Sequence, residues 1–371
     1  MWLTLPPGGV SMYEATFELE AITPVFMRGA DQRKAEFRSA SVKGVMRWWF
    51  RALAGNYFGN DIKGLKRAEC RVFGCAGEET RRSAVTVEVE SLSEPRDIYF
   101  TRRRFDRDSW IWDLQYLFFS IKLTAGKQMM NKFYPPGSKF RVTLSSYSED
   151  LLKAAVASLW TGVMLGGFGF RARRGAGSLK FAGDTRYLGE LGLVTSPNSD
   201  KELGDSINRA VKLVGDSIGV SSRVKGIFKY PVLGEESSCV ARWGWETDPK
   251  GLLKSFQGKY SRFRSSPSLR VKRVVLGLPI VKGKLGPVRK AAKNARRASP
   301  LIVTVLPYKG AYSLVLTKLR TGPYYTAEKR ELKGFENTIN KNADWKVLHW
   351  LDVDHLSQEV VVYGSPEVFL Q

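Results

Sequence analysis

Apolar residues at Val42, Val45, Met46, Trp49 and Leu53 recur at i, i+3, i+4, i+7 and i+11, which winds residues 41–54 into an amphipathic helix. Trp49 falls inside that stripe and is assigned to the core. Ahead of the helix, residues 13–20 alternate apolar and polar side chains as a half-buried strand, stopped by Thr23-Pro24. Residues 55–77 are rich in glycine and charge and read as a loop with at most a short helix. AVTVEVE at 84–90 and residues 139–145 are two more alternating strands, the second preceded by the turn Tyr134-Pro135-Pro136-Gly137. A second helix spans 146–166, with a Ser146/Glu149 capping box and a stripe of Leu152, Ala155, Val156, Leu159 and Val163 that ends at Gly166-Gly167. A strand over 177–182 completes the order strand, helix, strand, strand, helix, strand. That order is the split βαβ of a ferredoxin-like unit over residues 10–190.

Past Leu191 the composition turns to Gly, Ser, Asp and Asn, which places a boundary at 195–206 and divides the chain into units 1–200 and 201–371. In the second unit, 208–214 and 249–264 suggest helices. Residues 301–306 and 311–317 suggest a strand pair joined through Pro307-Tyr308-Lys309-Gly310, and 345–351 and 359–363 a helix and a strand. The fold class expected is α+β, a second α+β unit following the first.

Charge changes the picture of the first helix. Lys43, Arg47 and Arg51 stack one turn apart beside the apolar stripe, a spacing that suits a row of phosphates, and Trp48 lies on the far flank. Ser39 or Ser41 is available as cap, and the first turn carries no acid. Arg28, Arg33, Lys34 and Arg38 precede this positive helix end and invite an anion. In the loop between them an Asx-type turn is the expected use of Asp31.

The chain of 371 residues carries 59 Lys plus Arg against 36 Asp plus Glu, a formal net charge of +23. Such an excess points to a polyanionic partner, most often nucleic acid. Hydrophobic content of 43% and aromatic content of 12% suffice for packed cores. Cys70, Cys75 and Cys239 form neither a disulfide framework nor a zinc set, so reduced thiols are expected. With no signal peptide and no apolar run long enough to span a bilayer, a soluble cytoplasmic protein without membrane contact is expected.

A second basic element is LGGFGFRARRGAGSLK at 165–180, where five glycines surround Arg171, Arg173 and Arg174, with Phe168 and Phe170 interleaved. Glycines allow close backbone approach, arginines supply forked phosphate donors, and exposed rings stack on unpaired bases. Neither GxxxxGK[ST] nor GxGxxG spacing occurs, so no nucleotide cofactor is expected.

Thr23, Pro24, Phe26, Gly29 and Ala30, followed by Arg38, Ser41, Lys43, Gly44, Arg47, Trp48, Trp49 and Arg51, resemble the opening of the first-subunit family of the Cmr complex, the type III-B CRISPR RNA-guided effector. These are RAMP proteins. The glycine-rich stretch 166–178 resembles the loop that marks RAMP proteins generally, and Arg296-Arg297-Ala298-Ser299-Pro300-Leu301 is similar to an RRASPL element of the first-subunit family. The resemblance implies two tandem ferredoxin-like folds, RNA binding without catalysis near the 3′ end of the guide, and guide RNA, target RNA and other Cmr subunits as partners. By motif position it assigns RNA contact to Lys43, Arg47, Trp48 and Arg51. Charge and location add Arg28, Arg38, Arg171, Arg173 and Arg174, with Phe168 or Phe170 as a stacking ring, and Arg296 and Arg297 as a basic pair that equally fits a solvated helical face.

The alternative is a metal-independent endoribonuclease acting on CRISPR repeat RNA, which would need a histidine acid or base. The two histidines are His349, in an apolar setting that favours a structural role, and His355, beside Asp352 and Asp354 but without a second ligand at metal spacing. No acid pair stands in a two-metal pattern.

Overall fold

The computed structural model describes residues 2–4, 11–31, 33–77, 80–97, 109–119, 121, 132–226, 228–265, 298–319 and 361–364. The first unit is built on β1 (Trp2–Thr4), β2 (Met12–Ala21), α1 (Ser39–Phe58), α2 (Ile62–Phe73), β3 (Val85–Ser91), a two-stranded ribbon of β4 (Arg96–Asp97) and β5 (Lys132–Phe133), α3 (Ser109–Asp113), β6 (Lys139–Ser146), α4 (Glu149–Met164) and β7 (Leu179–Ala182). A short helix α5 (Arg186–Glu190) and the long α6 (Asp200–Ile218) lead to β8 (Ser238–Glu246), α7 (Pro249–Ser265), β9 (Leu301–Tyr308), β10 (Ala311–Leu319) and β11 (Val361–Gly364).

In the first sheet β2 is central. It pairs with β6 on one side, and with β7 and β1 at the two ends of its other side, while β3 flanks β6. The order β7-β2-β6-β3, all antiparallel, is the ferredoxin-like order. The second sheet runs β11-β8-β10-β9, again all antiparallel and again with its first strand inside and its last strand at that strand's side. Two tandem ferredoxin-like units are therefore present. The hairpin expected around Lys309-Gly310 is there, with both residues at positive φ (48° and 73°), the two-residue turn that suits twisted strands.

Alternation fixes which face of the first sheet is covered. Ala15, Phe17, Leu19 and Ala21 of β2 are buried and pack with the α1 residues Val42, Met46, Trp49 and Leu53 and with α4. The opposite face is polar. Glu18 and Glu90 share Arg141, Lys180 meets Glu20 at 3.0 Å, and Thr16 and Thr143 hydroxyls lie 3.0 Å apart. Hence this open face offers polyanions no cationic surface.

Several expectations need correction. Residues 62–73 are a full helix, not a loop: Asp61 caps it by accepting from Gly64 N at 2.9 Å, and Leu65, Ala68, Val72 and Phe73 bury one side. Neither Ser39 nor Ser41 caps α1, because Arg38 occupies that position with no side-chain cap bond. The cap of α4 is Ser148, accepting from Leu151 N, while Ser146 accepts from Ser148 N at 3.1 Å. Cys70 and Cys75 are joined as a disulfide, Cα atoms 5.0 Å apart, because Gly74 (φ 74°) turns the chain back past the end of α2. Helix α6 is longer than the expected 208–214; Ser199 caps it and it packs on α4 and α1. No helix among the described residues is long and apolar enough to cross a membrane.

Candidate nucleic-acid interface

Helix α1 presents Lys43, Arg47 and Arg51 along one edge, and the structure shows what that edge rests on. Arg47 Nε and Arg51 Nη1 both donate to Glu69 Oε1 of α2, each at 2.6 Å. Glu69 is only 5% exposed, so its carboxylate is sequestered between the two guanidiniums. Lys43 Nζ donates to Ser83 Oγ at 2.8 Å, and burial, with the neighbouring Arg47 charge, holds its ammonium below the usual lysine range. The row is therefore neither a bare phosphate comb nor a set of solvated charges. It is an ionic clamp between two helices whose arginines remain 34% and 38% exposed at the surface.

Beside the clamp lies a surface that the sequence reading missed. Opposite its buried side, α2 exposes Lys63, Lys66, Arg67 and Arg71, and the following turn exposes Arg81 and Arg82 next to Ser83. Among the described residues no acid forms an ion pair with these six. Lys66 stands one turn before Glu69, so the basic face of α2 continues directly into the α1 row. The signal was present as the spacing of Leu65, Ala68, Val72 and Phe73, masked by the glycines and charges around it.

The glycine-rich stretch 166–178 meets the far flank of α1. The Arg173 guanidinium lies 4.9 Å from the centre of the Trp48 ring, and Trp48 packs edge-on to Trp49 at 4.7 Å. The glycine-rich stretch thus touches α1 through Trp48, on another flank of the helix from the Lys43/Arg47/Arg51 row. The stretch is laced to the 23–26 strand exit: Thr23 Oγ1 donates to Gly175 O at 2.7 Å and accepts from Ser178 N at 2.9 Å, and Gly177 N and Phe170 N donate to Pro24 O and Phe26 O. Two glycines are obligatory. Gly169 (φ 91°) would place a Cβ 2.5 Å from Phe26 O, and Gly177 (φ 65°) would drive one into the Phe168 carbonyl.

These contacts redistribute the expected site residues. Arg171 sits at φ 65° and its Nε donates to Leu117 O at 2.7 Å. Arg173 Nη1 donates to Ser299 O at 2.7 Å, which ties the loop to the Ser299-Pro300-Leu301 element of the second unit. Arg174 is 8% exposed with its guanidinium 5.0 Å from the Tyr260 ring centre, so it bridges the two units and offers nothing to a phosphate. Phe168 is fully buried, 6.2 Å from Phe37 ring to ring, and has no face open for a base; Phe170, 38% exposed, has one. Both Arg174 and Phe168 leave the set of candidate contacts.

Upstream, Arg28 pairs with Ala35 in a tight reversal, Arg33 N donates to Asp31 Oδ1 at 2.9 Å in the expected Asx turn, and Arg38 Nε lies 3.5 Å from Glu36. Arg28 and Arg38 are part-exposed around the start of α1, where no acid occupies the first turn. Arg296, Arg297, His349 and His355 lie outside the described residues, within which no group of His, Cys, Asp and Glu could hold a metal ion.

A family model of the RAMP superfamily matches residues 18–180, the stretch from β2 through α1 and the glycine loop to β7. The chain is 36% identical over 351 residues to the CRISPR system Cmr subunit Cmr1-1 of Pyrococcus furiosus, covering 92% of this chain and 95% of that one. It is 49% identical over 179 residues to Cmr1-2 of the same organism, covering 46% and 95%. Among solved structures it superimposes on the apo crystal structure of Cmr1 from Pyrococcus furiosus with a TM-score of 0.65 and 34% identity, over 89% of this chain and 96% of that one. A chain in the cryo-EM structure of the type III-B Cmr-beta bound to cognate target RNA shares the fold at a TM-score of 0.52 and 14% identity, over 89% and 98%.

Proposed function

The chain belongs to the RAMP superfamily and within it to the Cmr1 family, and from that premise we propose that it holds guide RNA, target RNA or both, near the 3′ end of the guide, as a non-catalytic subunit of a cytoplasmic type III-B Cmr effector complex. The carrying observation is the pair of neighbouring cationic helices α1 and α2, tied by Glu69, with Ser83 held by Lys43 and the Trp48–Arg173 pair on the adjoining flank. Lys63, Lys66, Arg67 and Arg71 are the primary phosphate contacts. Arg47, Arg51 and Lys43 add theirs from the clamp, while Arg28, Arg38, Arg171 and Arg173 extend the track to the glycine loop, with Arg296 and Arg297 as further basic contacts. Bases stack on Trp48 and Phe170, since part-exposed rings are sequence-tolerant platforms. The acidic character of the sheet's open face, where Glu18, Glu20 and Glu90 stand, directs RNA to the helical side. Residues 1–200 carry this surface, and residues 201–371 hold the glycine loop in place from behind.

The test is charge reversal of two of the six exposed cations that form no ion pair among the described residues, Lys66→Glu with Arg67→Glu. Single-stranded RNA affinity is expected to fall at least tenfold at low salt, with a shallower salt slope and an unchanged melting temperature. Unchanged affinity and slope would overturn the assignment. Incubating the chain with repeat RNA in EDTA is expected to leave the RNA intact, and cleavage would favour the endoribonuclease reading.

A further inference from the structure

The open end of the second sheet carries aromatic and cationic side chains that the α1–α2 surface does not use. Trp245, near the end of β8, is 57% exposed, an unusual position for a side chain of that apolar area. The register with β10 explains how it gets there. Leu314 pairs with Trp243, but Tyr312 pairs with Glu246, so β8 holds one extra residue at Gly244–Trp245. Gly244 takes φ 69° at this bulge, a conformation that favours glycine, and a Cβ there would also push on Leu252 Cδ1 at 2.6 Å. The Ser313 hydroxyl meets the carbonyls of Trp243 and Gly244 and fixes the distortion. A bulge of this kind re-aims the next side chain, and here it turns an indole into solvent.

The indole is held once there. Its Nε1–H donates to Tyr308 O at 3.3 Å, which sets the ring plane. The Tyr308 ring carries the Arg242 guanidinium 4.3 Å from its centre and the Lys309 ammonium at 5.5 Å. Asp200 takes up Arg242 at 2.6 Å, whereas Lys309 is exposed at the hairpin tip. The exposed described residues that flank Trp245 in the chain, and those that follow its acceptor Tyr308 in the hairpin, are Gly244, Glu246, Thr247, Lys309 and Gly310, none of them the large apolar kind that a protein hot spot uses. A flat ring held by its own N–H, with an exposed lysine one residue past the carbonyl that holds it, matches an unpaired base and its phosphate.

We infer that Trp245, with Lys309 one residue past the carbonyl that holds it, is a stacking platform for one unpaired base of single-stranded RNA, separate from the α1–α2 surface. This rests on the reading that the chain holds single-stranded RNA. The purified full chain is titrated with an aminopurine-labelled oligouridylate, reading stacking as fluorescence quenching, for Trp245→Ala, Trp245→Phe and the Lys66→Glu/Arg67→Glu variant. Trp245→Ala is expected to lose about tenfold in affinity together with part of the quench, and Trp245→Phe to fall between it and the parent. Parental behaviour of Trp245→Ala, while the Lys66/Arg67 variant loses binding, would overturn the platform and leave the RNA reading standing. Parental behaviour of both variants would overturn both. Loss of co-purifying Cmr subunits on Trp245→Ala with RNA binding intact would also overturn the platform, since it would mark the indole as a protein contact.

Discussion

Replacing Glu69 by glutamine should move stability and RNA affinity in opposite directions. The carboxylate is 5% exposed and receives two hydrogen bonds of 2.6 Å from Arg47 and Arg51. A charge-assisted hydrogen bond contributes about 1.5–3 kcal/mol, and removing one partner of a fully buried ion pair costs about 3–5 kcal/mol. Both guanidiniums are about one-third exposed, 34% and 38%, so water recovers part of their solvation and the full penalty does not apply. Glutamine also keeps one acceptor in place. The expected loss is about 2 kcal/mol, a fall in melting temperature of roughly 4–8 °C for a unit of this size. The same change removes one negative charge from beneath the cationic surface. At contact distance in water that is worth about 1 kcal/mol towards a phosphate, roughly a fivefold gain in single-stranded RNA affinity at low salt. The salt slope should steepen by about 0.7 as one further phosphate is neutralised. The assay pairs a thermal melt with fluorescence-anisotropy titrations over a salt series. A Glu69→Gln protein that loses affinity in proportion to stability, or keeps both, would refute the clamp as part of the RNA surface.

Phe168→Ala should cost about 3–5 kcal/mol by opening a cavity in the core, whereas Phe170→Ala should leave the melt unchanged and lower RNA affinity several-fold, as a melt paired with a binding titration would show. Gly177→Ala should destabilise the chain by more than 1 kcal/mol, because it adds both a positive-φ penalty and a collision with the Phe168 carbonyl, measurable by denaturant unfolding. Burial pushes the Tyr187 and Tyr230 phenols up from 10.0 to about 12. Between those values the unfolded chain ionises them while the folded chain keeps their protons, so stability falls as pH rises through this window. The double Phe variant at positions 187 and 230 should flatten that alkaline decline in melts taken across it.

The elements were legible where one face of a segment is buried. Alternation placed β2, β3, β6 and β7 within two residues of their observed ends, and the stripe of α1 was read correctly down to Trp49. The order of those elements was enough to give the ferredoxin-like topology. Periodicity reports how greasy a face is, and it fails where short-range composition opposes it, as in α2, whose glycine and four cations hid the stripe of Leu65, Ala68, Val72 and Phe73. It also cannot report pairing. Glu69 lies 22 residues from Arg47, and nothing local marks it as that arginine's partner. Burial of Phe168 against exposure of Phe170 depends on a loop folding back on the 23–26 strand exit, a tertiary fact invisible in two neighbouring phenylalanines. The three stretches that carried the family resemblance converge through the glycine loop, which contacts Thr23, Trp48 and Ser299. The motif residues there hold one another, and the cations beside them stand exposed.

Ultraviolet cross-linking of RNA in the assembled effector complex, mapped by peptide mass spectrometry, tests the RNA-holding surface most directly. Cross-links are expected on the peptides that carry Trp48, α2 from Lys63 to Arg71, and Phe170. Cross-links confined to the polar outer face of the first sheet, around Glu18, Arg141 and Glu90, with none on α1 or α2, would contradict it.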